Sequence, residues 1–350
     1  MVHLPSICTI SLGRCAAGHT LDHKLDMAAK HGFRGIELFY EDLVELTKSM
    51  NGGKTPENQL SAATTIRQMC QKRGLSIICL QPFMHYEGLV DRALHQQRIQ
   101  EMHLWVKLAR NLGTDLILLP SSNLDPEHIT EDMDVIVADM REVADIGAQV
   151  QPPIRYAFEA LCWGTRVDTW EASWDVVRRV DRSNFGICLD SFNIAGRIYA
   201  DPTSPSRCTP DCDEAVVRSM ARLVLDVDVT KLFLLQVADA EKLSEPLTPT
   251  HEFYNPEQPA RMSWSRNARL FYGESEYGAY LPARAILSTI VRDLKYEGWL
   301  SFEVFNREFF NPDARVPLKM ANRASRSWNK MVTELGLNTE QTSERMQPML

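Results

Sequence analysis

The stretch RYAFEALCWG, residues 155–164, puts an ionisable group at the end of an apolar run. Tyr156, Ala157 and Phe158 suit a strand interior, and Glu159 follows them directly, with Ala160 and Leu161 beyond it. An unpaired charge is costly to bury, so a carboxylate at that place calls for a partner. The pattern recurs along the chain. FGICLD (185–190) ends in Asp190, KLFLLQ (231–236) ends in Gln236, and WLSFEV (299–304) carries Glu303. Further apolar runs are SICTISL (6–12), GIELFY (35–40), LSIICLQ (75–81) and DLILLP (115–120), which with IRYAFE (154–159) make eight.

Runs of this kind, apolar throughout rather than alternating, mark strands buried on both faces. Segments of helical period lie between them, at 20–31, 56–73, 91–112, 128–148, 168–180, 211–227, 281–294 and 314–334. Pro56 suits a first helical turn, and Gly32, Gly74 and Gly113 stand where helices stop. Strict alternation of strand and helix predicts parallel pairing with helical crossovers, an α/β architecture. At this length a closed (β/α)8 TIM barrel is the natural solution. An open doubly wound sheet is the runner-up, but neither G-x-G-x-x-G nor G-x-x-x-x-G-K-[ST] occurs. A single barrel domain is expected over residues 1–337, followed by a polar, frayed tail at 338–350. Two long connections, 191–210 after the sixth strand and 237–280 after the seventh, would emerge on the rim where barrel active sites lie.

Among the 350 residues, 46 Asp and Glu outweigh 38 Lys and Arg, for a formal net charge of −8. That balance argues against a nucleic-acid partner. No run is long and apolar enough to cross a bilayer, and the start MVHLPSICTISLGRC reads as a first strand rather than a signal peptide. The eight cysteines include no C-x-x-C pair, and Cys208 and Cys212 have no second pair for a zinc site. A reducing, cytoplasmic setting and a small-molecule partner are expected. A homo-oligomer is compatible with this composition, which does not set the number of copies.

The strand-end acceptors are separated by 31 residues from 159 to 190, 46 from 190 to 236 and 67 from 236 to 303. Those gaps exclude a local metal loop, but in a barrel successive strand ends are neighbours on one rim. Three crowded carboxylates repel and would take up protons unless a cation joins them. Oxygen donors suit one hard or borderline divalent metal ion, Mg²⁺, Mn²⁺ or Co²⁺. Glu159, Asp190, Gln236 and Glu303 are therefore candidate metal ligands. Singly, an Asp after a strand is as often a helix cap. Glu37, in GIELF, has the same look and could position substrate or pair with a basic group.

The chain resembles the xylose-isomerase-like barrels and, more closely, the fungal 3-dehydroshikimate dehydratase family of quinate catabolism. The likeness rests on GFRGIELFYEDL (32–43), ICLQPFMHYEGL (78–89), FEALCWG (158–164), FGICLDSFNIAGRIYADP (185–202), LLQVADAEKL (234–243), MSWSRNARLFYGE (262–274) and EGWLSFEVFN (297–306). The resemblance implies a divalent-metal lyase that converts 3-dehydroshikimate to protocatechuate and water. Glu159, Asp190, Gln236 and Glu303 match the family's ligand positions. Bacterial relatives carry His in an LDSFH pattern where this chain has Asn193, which excludes an imidazole base there but can still hydrogen-bond substrate.

Such a reaction needs a base of near-neutral pKa. His85, in QPFMHYEG, is the first candidate and His251, in TPTHEFYN, the second, though each could be a packing or hydrogen-bonding residue instead. Tyr86 and Glu87 are weaker options for the acid. The substrate carboxylate calls for a guanidinium, and Arg197, Arg266 and Arg269 are the rim arginines. Phe83, Trp163, Phe192 and Trp264 are expected to wall the pocket. A metal-dependent sugar isomerase or epimerase on the same barrel and a non-catalytic small-molecule-binding barrel are the alternatives.

Overall fold

The computed structural model describes residues 2–339. The expected tail from 340 onward lies outside the described residues. Eight parallel strands close into one barrel: β1 (His3–Cys8), β2 (Gly35–Phe39), β3 (Ser76–Gln81), β4 (Leu116–Pro120), β5 (Arg155–Glu159), β6 (Phe185–Asp190), β7 (Leu232–Val237) and, after a small ribbon, β10 (Gly298–Phe302). Each pairs with its neighbour in sequence, and β10 closes the ring on β1, with Ser6 opposite Ser301. The ribbon pairs β8 (Asp239–Ala240) with β9 (Arg269–Leu270) in antiparallel fashion.

The barrel is surrounded by α1 (Leu21–Lys30), α2 (Tyr40–Thr47), α3 (Pro56–Gln71), α4 (Arg92–Leu112), α5 (Met133–Ala148), α6 (Trp170–Val180), α7 (Ser191–Ile198), α8 (Cys212–Asp226), α9 (Ala260–Ala268), α10 (Ala283–Ser288) and α11 (Val316–Leu335). Their starts follow local chemistry. Thr55 accepts from Asn58 N ahead of Pro56, and Asp91 accepts from Ala93 N and Leu94 N. Gly113, at φ 81°, closes α4 in the left-handed conformation that glycine adopts freely.

Several boundaries differ from the sequence expectation. The first strand covers His3–Cys8 rather than 6–12, because Thr9–Leu12 tighten into a 3-10 turn in which Ser11 Oγ hydrogen-bonds the Phe302 and Val304 carbonyls. The helix expected from 128 begins at Met133, behind a turn at Pro126–His128 and an Asp132 cap. Helices α7 and α9 lie within the two long connections, and α2 starts at the last residue of the second apolar run and continues into a stretch assigned to no element. Glu303 stands one residue beyond β10.

Candidate active site

The C-terminal ends of the strands bring the sequence-distant acceptors together. Ligand-capable oxygens of Glu159, Asp190 and Glu303 all lie within 4.8 Å of one another. Asp190 and Gln236 are register partners on β6 and β7. All four side chains are buried, Glu303 the most open at 4% exposed. Asp190 also fills the ordinary role of an aspartate after a strand: Oδ1 accepts from Phe192 N at 2.8 Å and caps α7, leaving Oδ2 for the cluster.

Amide donors and one cation hold these acids. Asn193 Nδ2 donates to Glu159 Oε1 (2.7 Å) and Asp190 Oδ2 (2.9 Å), while its Oδ1 accepts from Cys162 N (3.1 Å). Gln81 Nε2 donates to Glu37 Oε2 (2.9 Å) and Glu303 Oε1 (2.8 Å). Gln236 Nε2 donates to Glu37 Oε2 (2.8 Å) and its amide also contacts Glu303. Arg269 is fully buried, stacked over Phe192 at 4.1 Å, and its Nη1 bridges Asp190 Oδ2 (2.8 Å) and Glu303 Oε2 (3.2 Å).

One guanidinium does not balance four buried carboxylates. Burial pushes Glu159 well above the usual carboxylate range, and Glu303 and Asp190 push it further. Burial lifts Glu303 to about 7 against the opposing pull of Arg269, and lifts Glu37 to about 8 with Glu303 adding to it. Glu37 Oε1 is buried without a hydrogen-bond partner among the described residues. A dication at the cluster would remove this repulsion, and the three carboxylates fit one, with their orienting partners already in place; Gln236 turns Nε2 toward Glu37, while its Oε1 accepts from Cys188 Sγ at 3.5 Å.

The cluster forms the floor of a cavity of about 610 Å³ that Glu159, Glu303 and Arg269 line directly. A cavity of about 640 Å³ at the opposite end, bordered by Ser76, Asp115 and Trp299, holds none of these acids. Its Arg110 lies in the last turn of α4, where a cation offsets the helix dipole. Chemistry therefore belongs to the first cavity, on the rim where barrels carry it.

The other candidates fall at different depths. His85 is half-buried next to the lining residue Met84, with Nδ1 3.1 Å from Oγ of Ser122, the neighbour of the lining residue Asn123. Its backbone is left-handed at φ 55°, and burial holds its imidazole below the ordinary range. His251 Nδ1 accepts from Phe253 N at 3.0 Å and packs on that ring, within its own loop. Arg197 pairs with Asp168 at 2.6 Å, so it and Arg269 are already matched to acids. Arg266 lines the cavity without one among the described residues. Tyr86 is buried away from the cavity, and Glu87 accepts from Ser122 N. Of the four aromatics expected on the wall, Trp163 alone is there. Phe83 packs on Trp105, and Phe192 and Trp264 pack on each other in the core; the wall uses Phe39, Phe253, Phe305 and Phe310 instead.

Sequence reasoning missed Gln81 and Arg14. Gln81 ends its apolar run as Gln236 does, which was a readable signal. Arg14 also lines the cavity, from the loop after β1, and only its position behind a strand marked it.

Comparison with known proteins agrees with this geometry. Over 341 residues the chain is 55% identical to the 3-dehydroshikimate dehydratase of Neurospora crassa, covering 96% of this chain and 95% of that protein. It is 31% identical to the 3-dehydroshikimate dehydratase of Pseudomonas aeruginosa over 87% of this chain, but only 38% of that longer protein. Among solved structures, a xylose isomerase-like TIM barrel/4-hydroxyphenylpyruvate dioxygenase fusion protein superposes with a TM-score of 0.70 at 26% identity, over 98% of this chain and 46% of its own. The family model of the xylose isomerase-like TIM barrel matches residues 25–328, and the chain belongs to that family.

Proposed function

We propose that this chain is a 3-dehydroshikimate dehydratase, a divalent-metal-dependent lyase that forms protocatechuate and water. The observation that carries the reading is the buried cluster of Glu159, Asp190 and Glu303, whose two glutamates line the cavity, in a chain 55% identical to a dehydratase along almost its whole length. The substrate is a cyclohexene carboxylate with a conjugated ketone flanked by a hydroxyl-bearing carbon. Its ketone acidifies the hydrogen on that carbon. Removing that hydrogen and expelling the next hydroxyl releases one water, and the shift of a further ring proton to the ketone oxygen leaves an aromatic ring.

Glu159, Asp190, Gln236 and Glu303 would hold the cation, with Mg²⁺, Mn²⁺ and Co²⁺ as the ions the oxygen set favours. When bound, the cation supplies Lewis-acid stabilisation of negative charge growing at the ketone oxygen. The chain's own residues do the rest. Asn193 and Gln81 fix the acids by donating to them. The wall excludes water with Trp163, Phe39 and Phe305 and accepts a flat ring. His85 is the proposed base. A left-handed non-glycine backbone is strain of the kind concentrated at functional sites, and a lowered pKa keeps its ring neutral and able to take a proton at pH 7.

Purified protein incubated with 3-dehydroshikimate and Mg²⁺, Mn²⁺ or Co²⁺ is expected to generate the absorbance of protocatechuate, and chelation is expected to stop it. Absence of product with every divalent ion tried overturns the reading.

A further inference from the structure

The cavity is polarised. Its floor is acidic, and its outer wall carries two arginines that the acids do not reach. Arg266 comes from α9 and has no anionic partner among the described residues. Arg14 comes from the loop after β1 and is only half engaged. Its Nη2 donates to Glu41 Oε2 at 2.6 Å, its guanidinium lies 5.1 Å from the centroid of the Phe310 ring, and its Nε is buried with no partner among the described residues. Glu41 is in turn fixed by Cys15 Sγ, which donates to its Oε1 at 2.9 Å. We propose that Arg14 and Arg266 together clamp the carboxylate of the substrate, with Glu41 as the residue that positions Arg14.

Three further observations converge on that assignment, which rests on the dehydratase reading. First, partial desolvation and the nearby charge of Arg14 both hold the Arg266 guanidinium below its usual range, although its outer edge meets solvent. Two like charges on one wall are relieved by an anion between them. Second, a buried N–H without a partner is costly, and Arg14 Nε has none among the described residues, so this side chain gains by turning toward an anion in the cavity it lines. Third, the polarity of the cavity matches the ligand. In 3-dehydroshikimate the carboxylate lies across the ring from the hydroxyl beside the ketone. With that hydroxyl and the ketone at the floor, the carboxylate is carried away from Glu159 and Glu303, which would repel it, and toward the arginine wall. Guanidinium groups recognise carboxylates through paired, charge-assisted hydrogen bonds, which lysine does not reproduce.

The test compares protocatechuate with catechol, which is the same ring without the carboxylate, by titration calorimetry on the metal-loaded protein, alongside steady-state kinetics. For Arg14→Ala and Arg266→Ala, protocatechuate affinity is expected to fall about ten- to a hundredfold, catechol affinity to hold, and KM to rise far more than kcat falls. Arg14→Lys is expected to recover part of the loss, and Glu41→Gln to weaken protocatechuate without changing the melting temperature. Unchanged protocatechuate binding in both alanine variants, or an equal loss for the two ligands, overturns the clamp. Because the calorimetry needs no turnover, a protein that shows the arginine-dependent preference but never dehydrates 3-dehydroshikimate upholds the clamp while it defeats the functional reading.

Discussion

Asn193 spends its whole amide on the site, with both hydrogens on carboxylates and the oxygen on a backbone N–H. It is a positioning residue more than a substrate contact. Asn193→Ala leaves Glu159 and Asp190 without those donors, and about a tenfold to hundredfold loss of metal affinity and of kcat/KM is expected, with circular dichroism unchanged. His85 belongs to a different test. Its ordinary pKa of about 6.5 is lowered by burial, with Arg98 adding to the effect. If it takes the proton, kcat/KM rises with pH through a value below that figure, and His85→Gln abolishes this acid limb along with most of the rate. An acid limb that survives the substitution shifts the base to another group. The strand-end acids were legible because a charge inside an apolar run contradicts its surroundings. Arg266 was legible only as one of three rim arginines, and Arg14 not at all, because an arginine on a loop contradicts nothing; the absence of a partner is visible only in three dimensions.

At the scale of elements, the rim loops are tied to the barrel by buried polar contacts. Lys24 of α1 is fully buried, donates to Asp42 Oδ1 (2.5 Å) and Oδ2 (2.7 Å), and also holds the Gly13 carbonyl at 3.0 Å, next to Arg14. This one ammonium joins α1, α2 and the arginine-bearing loop. Lys24→Met strands Asp42 as an uncompensated buried charge, and a loss of about 3–5 kcal/mol is expected in urea unfolding; Lys24→Met with Asp42→Leu should recover much of it. The elements that escaped sequence reading lacked start signals. Helix α2 begins at Tyr40 with no side-chain cap, and α9 follows Pro259 in a stretch rich in proline and aromatics. Helix α7 did have a cap, since Asp190 serves as both cap and cluster acid, but its eight residues are too short to show a helical period inside a connection.

Across the whole molecule, the alternation of apolar runs with helical segments was enough to anticipate the closed barrel, because eight parallel strands buried on both faces leave few ways to hide their edges. What alternation does not convey is the electrostatic state of the barrel mouth. Glu303 at about 7 and Glu37 at about 8 hold protons in the metal-free fold that the unfolded chain releases near its ordinary carboxylate pKa of about 4.3. A raised acid pKa contributes stability that is fully present below the unfolded value and is lost as pH rises through the folded value. Chelated protein is therefore expected to melt at progressively lower temperature as pH climbs from about 4.5 to about 8. A divalent ion competes with those protons, so its stabilisation grows over the same window: the rise in melting temperature on adding Mn²⁺ is expected to be small at pH 5 and several degrees at pH 8. Scanning calorimetry of chelated and Mn²⁺-loaded protein at both pH values measures this directly. A Mn²⁺ effect that is equal at the two pH values would mean that the ion does not displace protons from these acids, and would place it elsewhere on the molecule.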